Sequence, residues 1–267
     1  MTDADDTDEP TPETSRKRWI KRVVLGGMAA VVLFFAGIFV YANFINDSPD
    51  ELDATDLSDA LTGSTEAQVS DTTMALTPSD TTPTPETSPT SVSADFDGDW
   101  IPTTASEFGY RVEEVLAGVN TTAVGRSNEI EGMLTIDGTN ASVVDITVQI
   151  ENITSDDSTR DGQFSGRIMN AAEFPTAEFR ITEPIEFGQI PVGEEQVVAT
   201  AVGELTLRGV TNPVTFEVTA QTTDGRIGVL GSIPVLFEDY GIDNPSFGVV
   251  ATEDNGLVEF VLVFERA

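Results

Sequence analysis

The sequence predicts an all-β domain closed into an eight-stranded antiparallel barrel with one short helix, carried behind a single transmembrane helix and a disordered linker. Three observations carry that prediction. Beyond Trp100 the chain falls into short runs with apolar residues at every second position, parted by Gly, Asn, Asp and Pro clusters. Eight runs are counted, near 106–116, 130–137, 142–151, 177–187, 197–207, 213–223, 226–236 and 256–265, and an even number of antiparallel strands favours closure, which removes unpaired edges. Ahead of them lie one long apolar run and one stretch without Lys or Arg. The expected organisation is a cytoplasmic tail over 1–22, a spanning helix over 23–45, a linker over 46–97 and the barrel over 98–267.

The spanning helix rests on the run from Val23 to Ile45, about 23 residues and roughly 34 Å at about 1.5 Å per residue. Arg16, Lys17, Arg18, Lys21 and Arg22 flank its start and an acidic segment its end, so the positive-inside rule places the N-terminus in the cytoplasm and the barrel outside the membrane. Trp19 and Tyr41 stand near the two ends, where aromatic side chains favour the interface. A cleaved signal peptide, cut near Val40-Tyr41-Ala42, is the competing reading; the run is longer than a usual signal core. Residues 46–97, rich in Thr, Pro and Asp, have too little apolar surface to offset chain entropy, so a disordered tether is expected there.

Within the barrel the clearest strand is VVDITVQI, with Val144, Ile146, Val148 and Ile150 on one face. NPVTFEVTAQ repeats the pattern through Phe216 and Val218. A closed barrel of about eight strands either packs its interior solid or holds one small ligand, and periodicity leaves both open. Candidate lumen residues are Phe108, Tyr110, Val112, Val144, Ile146, Val148, Ile150, Phe179, Ile181, Leu205, Leu207, Phe216 and Val218. In 256–265 both faces are apolar, so Phe260, Leu262 and Phe264 compete with Val261 and Val263 for the interior. STRDGQFSGRIMNAAEFP, residues 158–175, reads as a short, poorly formed helix weakened by its glycines.

Composition narrows the chemistry. The chain has no His and no Cys, all its Lys lie at or before Lys21, and the formal net charge is -33. That excludes imidazole and thiolate catalysis or zinc ligation and, in the barrel, Schiff-base chemistry. No catalytic residue, metal or cofactor is expected, and a carboxylate glycosidase built on two of Asp239, Asp243 and Asp254 is a distant alternative. Nucleic acid is disfavoured for want of a basic patch. Asp95-Phe96-Asp97-Gly98-Asp99 echoes a calcium loop, but Ser106 falls where a glutamate is needed.

Trp100 in an opening strand, Thr159-Arg160-Asp161, Phe174-Pro175 before Ala177-Glu178-Phe179, the segment GELTLRGVTNPV from Gly203 to Val214, and Glu238-Asp239-Tyr240-Gly241-Ile242 follow in one order. Together, over about residues 98–265, they resemble the YceI-like family of polyisoprenoid-binding proteins. The resemblance implies a lipocalin-like barrel whose tunnel takes the prenyl tail of a quinone or prenyl pyrophosphate. Where family members often carry a His, this chain has Ala105-Ser106. Its negative charge opposes an anionic head group unless Arg160, Arg167 or Arg208 gathers at the mouth, so a neutral isoprenoid quinone or similar prenyl lipid is the expected partner. The alternative is a surface interaction module with a filled core, its function carried by loops 117–129 and 238–255.

Overall fold

A computed structural model describes residues 12–44, 48–63 and 96–267. They fall into two compact units. The smaller is made of Met1–Asp47, Glu114–Thr121 and Ser246–Ala251, the larger of Ser48–Glu113, Thr122–Pro245 and Thr252–Ala267.

The smaller unit holds α1 (Pro12–Phe44), opened by a proline at the position where a missing N–H costs nothing. The helix starts before the expected boundary at residue 23 and takes in the basic cluster expected in the tail. Among the described residues no helix is long and apolar enough to cross a membrane. Residues 1–11 and 45 of the expected tail and span lie outside the described residues. In the same unit the Ala117 N–H donates to the Val249 carbonyl at 2.8 Å, and Phe247 and Val250 exchange backbone hydrogen bonds at 3.0 Å.

The larger unit carries α2 (Ala54–Thr62) and then a sheet whose strands, some ending in the smaller unit, are β1 (Gly98–Pro102), β2 (Glu107–Leu116), β3 (Val119–Ser127), β4 (Ile130–Asp137), β5 (Asn140–Gln149), β6 (Thr176–Ile181), β7 (Ile185–Glu186), β8 (Val197–Leu207), β9 (Val210–Thr223), β10 (Arg226–Leu236), β11 (Val250–Thr252) and β12 (Asn255–Arg266). Hydrogen bonding runs β1-β4-β5-β6-β8-β9-β10-β12, and β12 pairs again with β1, so an antiparallel barrel of eight strands closes. Along one edge of β12, β1 pairs with 264–266 and β2 with 257–261. β1 and β2 are thus successive halves of one long strand, broken at 103–106, and β3 runs into β4 across a break at 128–129. Ser106 stitches the first break: its Oγ accepts from the Val263 N–H at 2.9 Å and donates to the Val263 carbonyl at 3.2 Å.

Two expectations are corrected within the barrel. The loop expected over 117–129 is largely β3, whose run VNTTAVGRS has too little alternation to announce a strand. The β8–β9 link is tighter than the gap of 208–212 between the expected runs 197–207 and 213–223: Arg208 (φ 50) and Gly209 (φ 74) form the turn, and Thr211 to Pro213 already pair with Thr206 to Glu204. Two left-handed residues match the twist of a hairpin, and glycine takes such a conformation without strain.

The expected linker is corrected over its first part. Residues 48–63 form a strap on the outer wall of the barrel, while 64–95 lie outside the described residues. α2 is held by its own sequence: the Asp53 carboxylate accepts from the Thr55 and Asp56 N–H groups at 2.6 and 3.3 Å, and Asp56 reciprocates to the Asp53 N–H at 2.8 Å. Gly63 ends it with φ 72. Leu57 and Leu61, one turn apart and both 0% exposed, pack on Val261 and Val263 with Leu230 beside them. Gly228 lies beneath, where an added Cβ would stand 2.7 Å from Leu57 Cδ1 and 2.8 Å from Leu61 Cδ1.

Charge secures the start of the strap. Glu259, 1% exposed, faces Arg111 Nε at 3.1 Å and Arg126 Nη1 at 2.5 Å, and accepts from the Leu52 N–H at 3.2 Å. Arg111 also donates to the Pro49 carbonyl at 2.7 Å, and Arg126 pairs with Glu107 at 2.9 Å. The carboxylate is therefore buried with two cations and a backbone donor, which offsets its loss of water.

Candidate functional site

The strap settles the direction of β12. Val261 and Val263 face outward beneath α2, so Val258, Phe260, Leu262 and Phe264 face the interior. Around the barrel Phe108, Tyr110 and Val112 of β2, Val144, Ile146 and Val148 of β5, Phe179 and Ile181 of β6, Leu205 and Leu207 of β8 and Phe216 and Val218 of β9 join the same interior cluster. All the candidate lumen residues are in it; Ile150 stands in a 3-10 turn (Ile150–Asn152) just past β5 rather than on the strand. The cluster also takes in Val229, Ile233 and Val235 of β10 and Leu134 of β4, whose alternation is visible in the sequence but less regular than in β5.

Burial within this interior is uneven. Trp100 (2%), Phe264 (1%) and Ile227 (5%) are packed tight near the end where β1 begins, with Phe96 stacked on Trp100 at 5.7 Å. By contrast Tyr110, Val148, Phe179, Val229, Val258 and Phe260 point inward from closed strands and are only partly buried. An inward side chain keeps accessible surface only where the neighbouring space is large enough for solvent. The interior is therefore apolar and unevenly buried, tight near the end where β1 begins and looser around these six side chains.

The opposite end is covered by α3 (Ser158–Gln163), which runs on into one π turn (Phe164–Ile168) and then a bend before Pro175. This is the short irregular helix expected from the sequence. Asp157 caps α3: its carboxylate accepts from the Thr159 N–H at 2.7 Å, and that bond, against the opposing effect of burial, holds its pKa below the ordinary aspartate range. Asp161 binds the Ser155 hydroxyl at 2.6 Å and fixes the approach. Phe164 turns into the lumen and stacks on Tyr110 with centroids 4.3 Å apart.

The three candidate head-group arginines are engaged by the protein. Arg167 Nη2 donates to the Pro245 carbonyl at 2.9 Å and Arg208 Nη1 to the Gly241 carbonyl, so these two meet the same segment after β10. Arg160 pairs with Asp156, four residues back and just ahead of α3. The same segment holds Tyr240, whose hydroxyl pKa is pushed up by burial. A cleft of about 440 Å3 lies at the two strand breaks, lined by Thr103, Thr104, Asn128, Glu129, Glu131 and Gln149 beside Pro102 and Ile130. Among the described residues no cluster of three or more carboxylates is placed to hold a metal ion.

An antiparallel eight-stranded barrel with an apolar interior and a helical cover is an up-and-down barrel of the lipocalin-like class. Residues 100–264 match the YceI-like domain, and the chain belongs to the YceI-like family. A UPF0312 protein of Pseudomonas paraeruginosa is 33% identical over 127 residues, 44% of this chain and 62% of that one. A UPF0312 protein of Yersinia pestis is 32% identical over the same shares. The chain thus spans 62% of the length of these curated relatives. Among solved structures, a polyisoprenoid binding domain from Saccharophagus degradans has the same fold, with a TM-score of 0.52 and 17% identity over 64% of this chain and 99% of that domain.

Proposed function

We propose that this protein is a membrane-anchored, extracytoplasmic carrier that holds a polyisoprenoid, an isoprenoid quinone or a similar prenyl lipid, in the barrel lumen and catalyses no reaction on it. The observation that carries the reading is the partial exposure of inward Tyr110, Val148, Val258 and Phe260 inside a closed barrel. Each CH2 buried in such a space contributes about 0.8 kcal/mol, so a long tail binds with few polar contacts. The Saccharophagus barrel of the same fold is a polyisoprenoid binding domain, which supports the ligand class. The net charge of -33 and the engagement of Arg167 and Arg208 by backbone carbonyls favour a neutral head group.

The anchor rests on the apolar run 23–45 and its basic N-terminal flank, which give a single pass with a cytoplasmic N-terminus and an external barrel.

Native mass spectrometry with lipid extraction, on the full chain purified from a membrane-containing host, tests the reading. A stoichiometric isoprenoid adduct, lost in a folded Ile146→Asp variant, is the expected result. Protein that stays free of ligand when offered quinones and prenyl alcohols would overturn it and leave a surface interaction module.

A further inference from the structure

Three phenylalanine rings cross the lumen. The barrel circuit puts β6 and β12 four strands apart in either direction, on opposite walls, with β9 midway between them on one side. Phe216 on β9 meets Phe179 on β6 at 5.4 Å and Phe260 on β12 at 6.1 Å between centroids, both edge to face. These are contact distances for aromatic pairs, so the rings form a continuous bar from wall to wall. Glycines make the space for it: a Cβ at Gly203 would stand 2.8 Å from the Phe179 ring, and one at Gly231 2.6 Å from Phe260.

The bar divides the lumen. Toward the α3 cover, Tyr110, Val148 and Val258 are partly buried; on the far side Val144 and Val229 are partly buried as well. There is room on both sides, and the rings stand between. From Phe216 to Val210, where β9 begins, is six residues, about 20 Å of strand and about 15 Å of height at the usual barrel tilt. A tail entering beneath the cover meets the rings at that depth.

We propose that Phe179, Phe216 and Phe260 are the floor of the binding chamber and set the longest prenyl tail that the protein retains. The inference rests on the reading of the lumen as a lipid site and adds a selectivity by length. Phe216 is its central element, because it alone of the three touches both other rings. Truncating it joins the two spaces and admits a longer tail.

The experiment loads the full chain with a series of isoprenoid quinones that share a head group and differ in the number of isoprene units, and measures retention by native mass spectrometry. The wild type should show a length beyond which retention falls. Phe216→Ala should move that length upward by at least one unit and raise retention of the first excluded quinone at least about tenfold, the change given by about 1.4 kcal/mol of added burial. Phe260→Leu, a milder change, should move it the same way and serves if Phe216→Ala fails to fold. Val258→Phe, which fills the near chamber, should move the limit down. Retention of every length alike by the wild type, or an unmoved limit in folded Phe216→Ala or Phe260→Leu, overturns the floor and leaves the carrier reading intact. Absence of binding at any length overturns both.

Discussion

Replacing Leu61 with alanine tests the outer strap. Leu61 is fully buried between Gly228, Val261 and Val263, and its loss leaves a cavity that the rigid barrel wall beneath cannot close. Leu-to-Ala changes at such sites cost about 2–5 kcal/mol, and the flat floor made by Gly228 gives no side chain to relax into the gap, so about 3 kcal/mol is expected. The cost is capped by the docking energy of the strap itself: once 48–63 lifts off, further losses in α2 no longer count against the barrel. Leu57→Ala added to Leu61→Ala should therefore cost less than twice the single change. Hydrogen exchange is the assay. Amides of Leu57 to Gly63 should lose protection by about a hundredfold or more, while those of β8 and β9 change little. Unprotected amides at 57–63 in the wild type, or a loss below about 1 kcal/mol in denaturant unfolding, would refute the argument that residues 48–63 belong to the folded domain.

Glu259→Ala leaves the Arg111 and Arg126 guanidiniums facing a buried site without its carboxylate and should destabilise the protein by about 3–5 kcal/mol in chemical denaturation, with the strap released first. The cover over the lumen should loosen in acid. Because the folded pKa of Asp157 is depressed, its contribution is complete above the ordinary aspartate value of about 3.9 and is lost as pH falls through the folded value. The Thr159 amide resonance should report that transition in an NMR titration from neutral to acid pH, and Asp157→Asn, which keeps a capping acceptor, should abolish it.

Much of the barrel is legible from alternation alone. Val144, Ile146 and Val148 against Asp145 and Thr147, or Phe216 and Val218 against Glu217, declare their inner face, because adjacent residues on a strand point to opposite sides of the sheet. The same rule cannot resolve 256–265, where both faces are apolar. That ambiguity is itself a signal of something covering the outer face, but the cover comes from residues about two hundred positions earlier. Composition argues against α2: SPDELDATDLSDALTG is acidic and holds few large apolar residues. Yet its Asp53-to-Asp56 box and the Leu57, Leu61 spacing are enough once a wall exists to receive them, since a short helix gains most of its stability from tertiary packing.

By itself the sequence determined the class of fold, the eight-strand count, the apolar character of the interior, the absence of imidazole and thiol chemistry and the place of the irregular helix at 158–175. Tertiary structure alone decided that β1 with β2 and β3 with β4 make single broken strands, that Glu259 is buried between two arginines, and that Phe179, Phe216 and Phe260 meet across the lumen. The physical reason is range. Parity and turn chemistry act between neighbours in the chain, whereas the register of a closed barrel and the rings it brings together are set by contacts among strands far apart in sequence, whose positions exist only when all the pairings close at once.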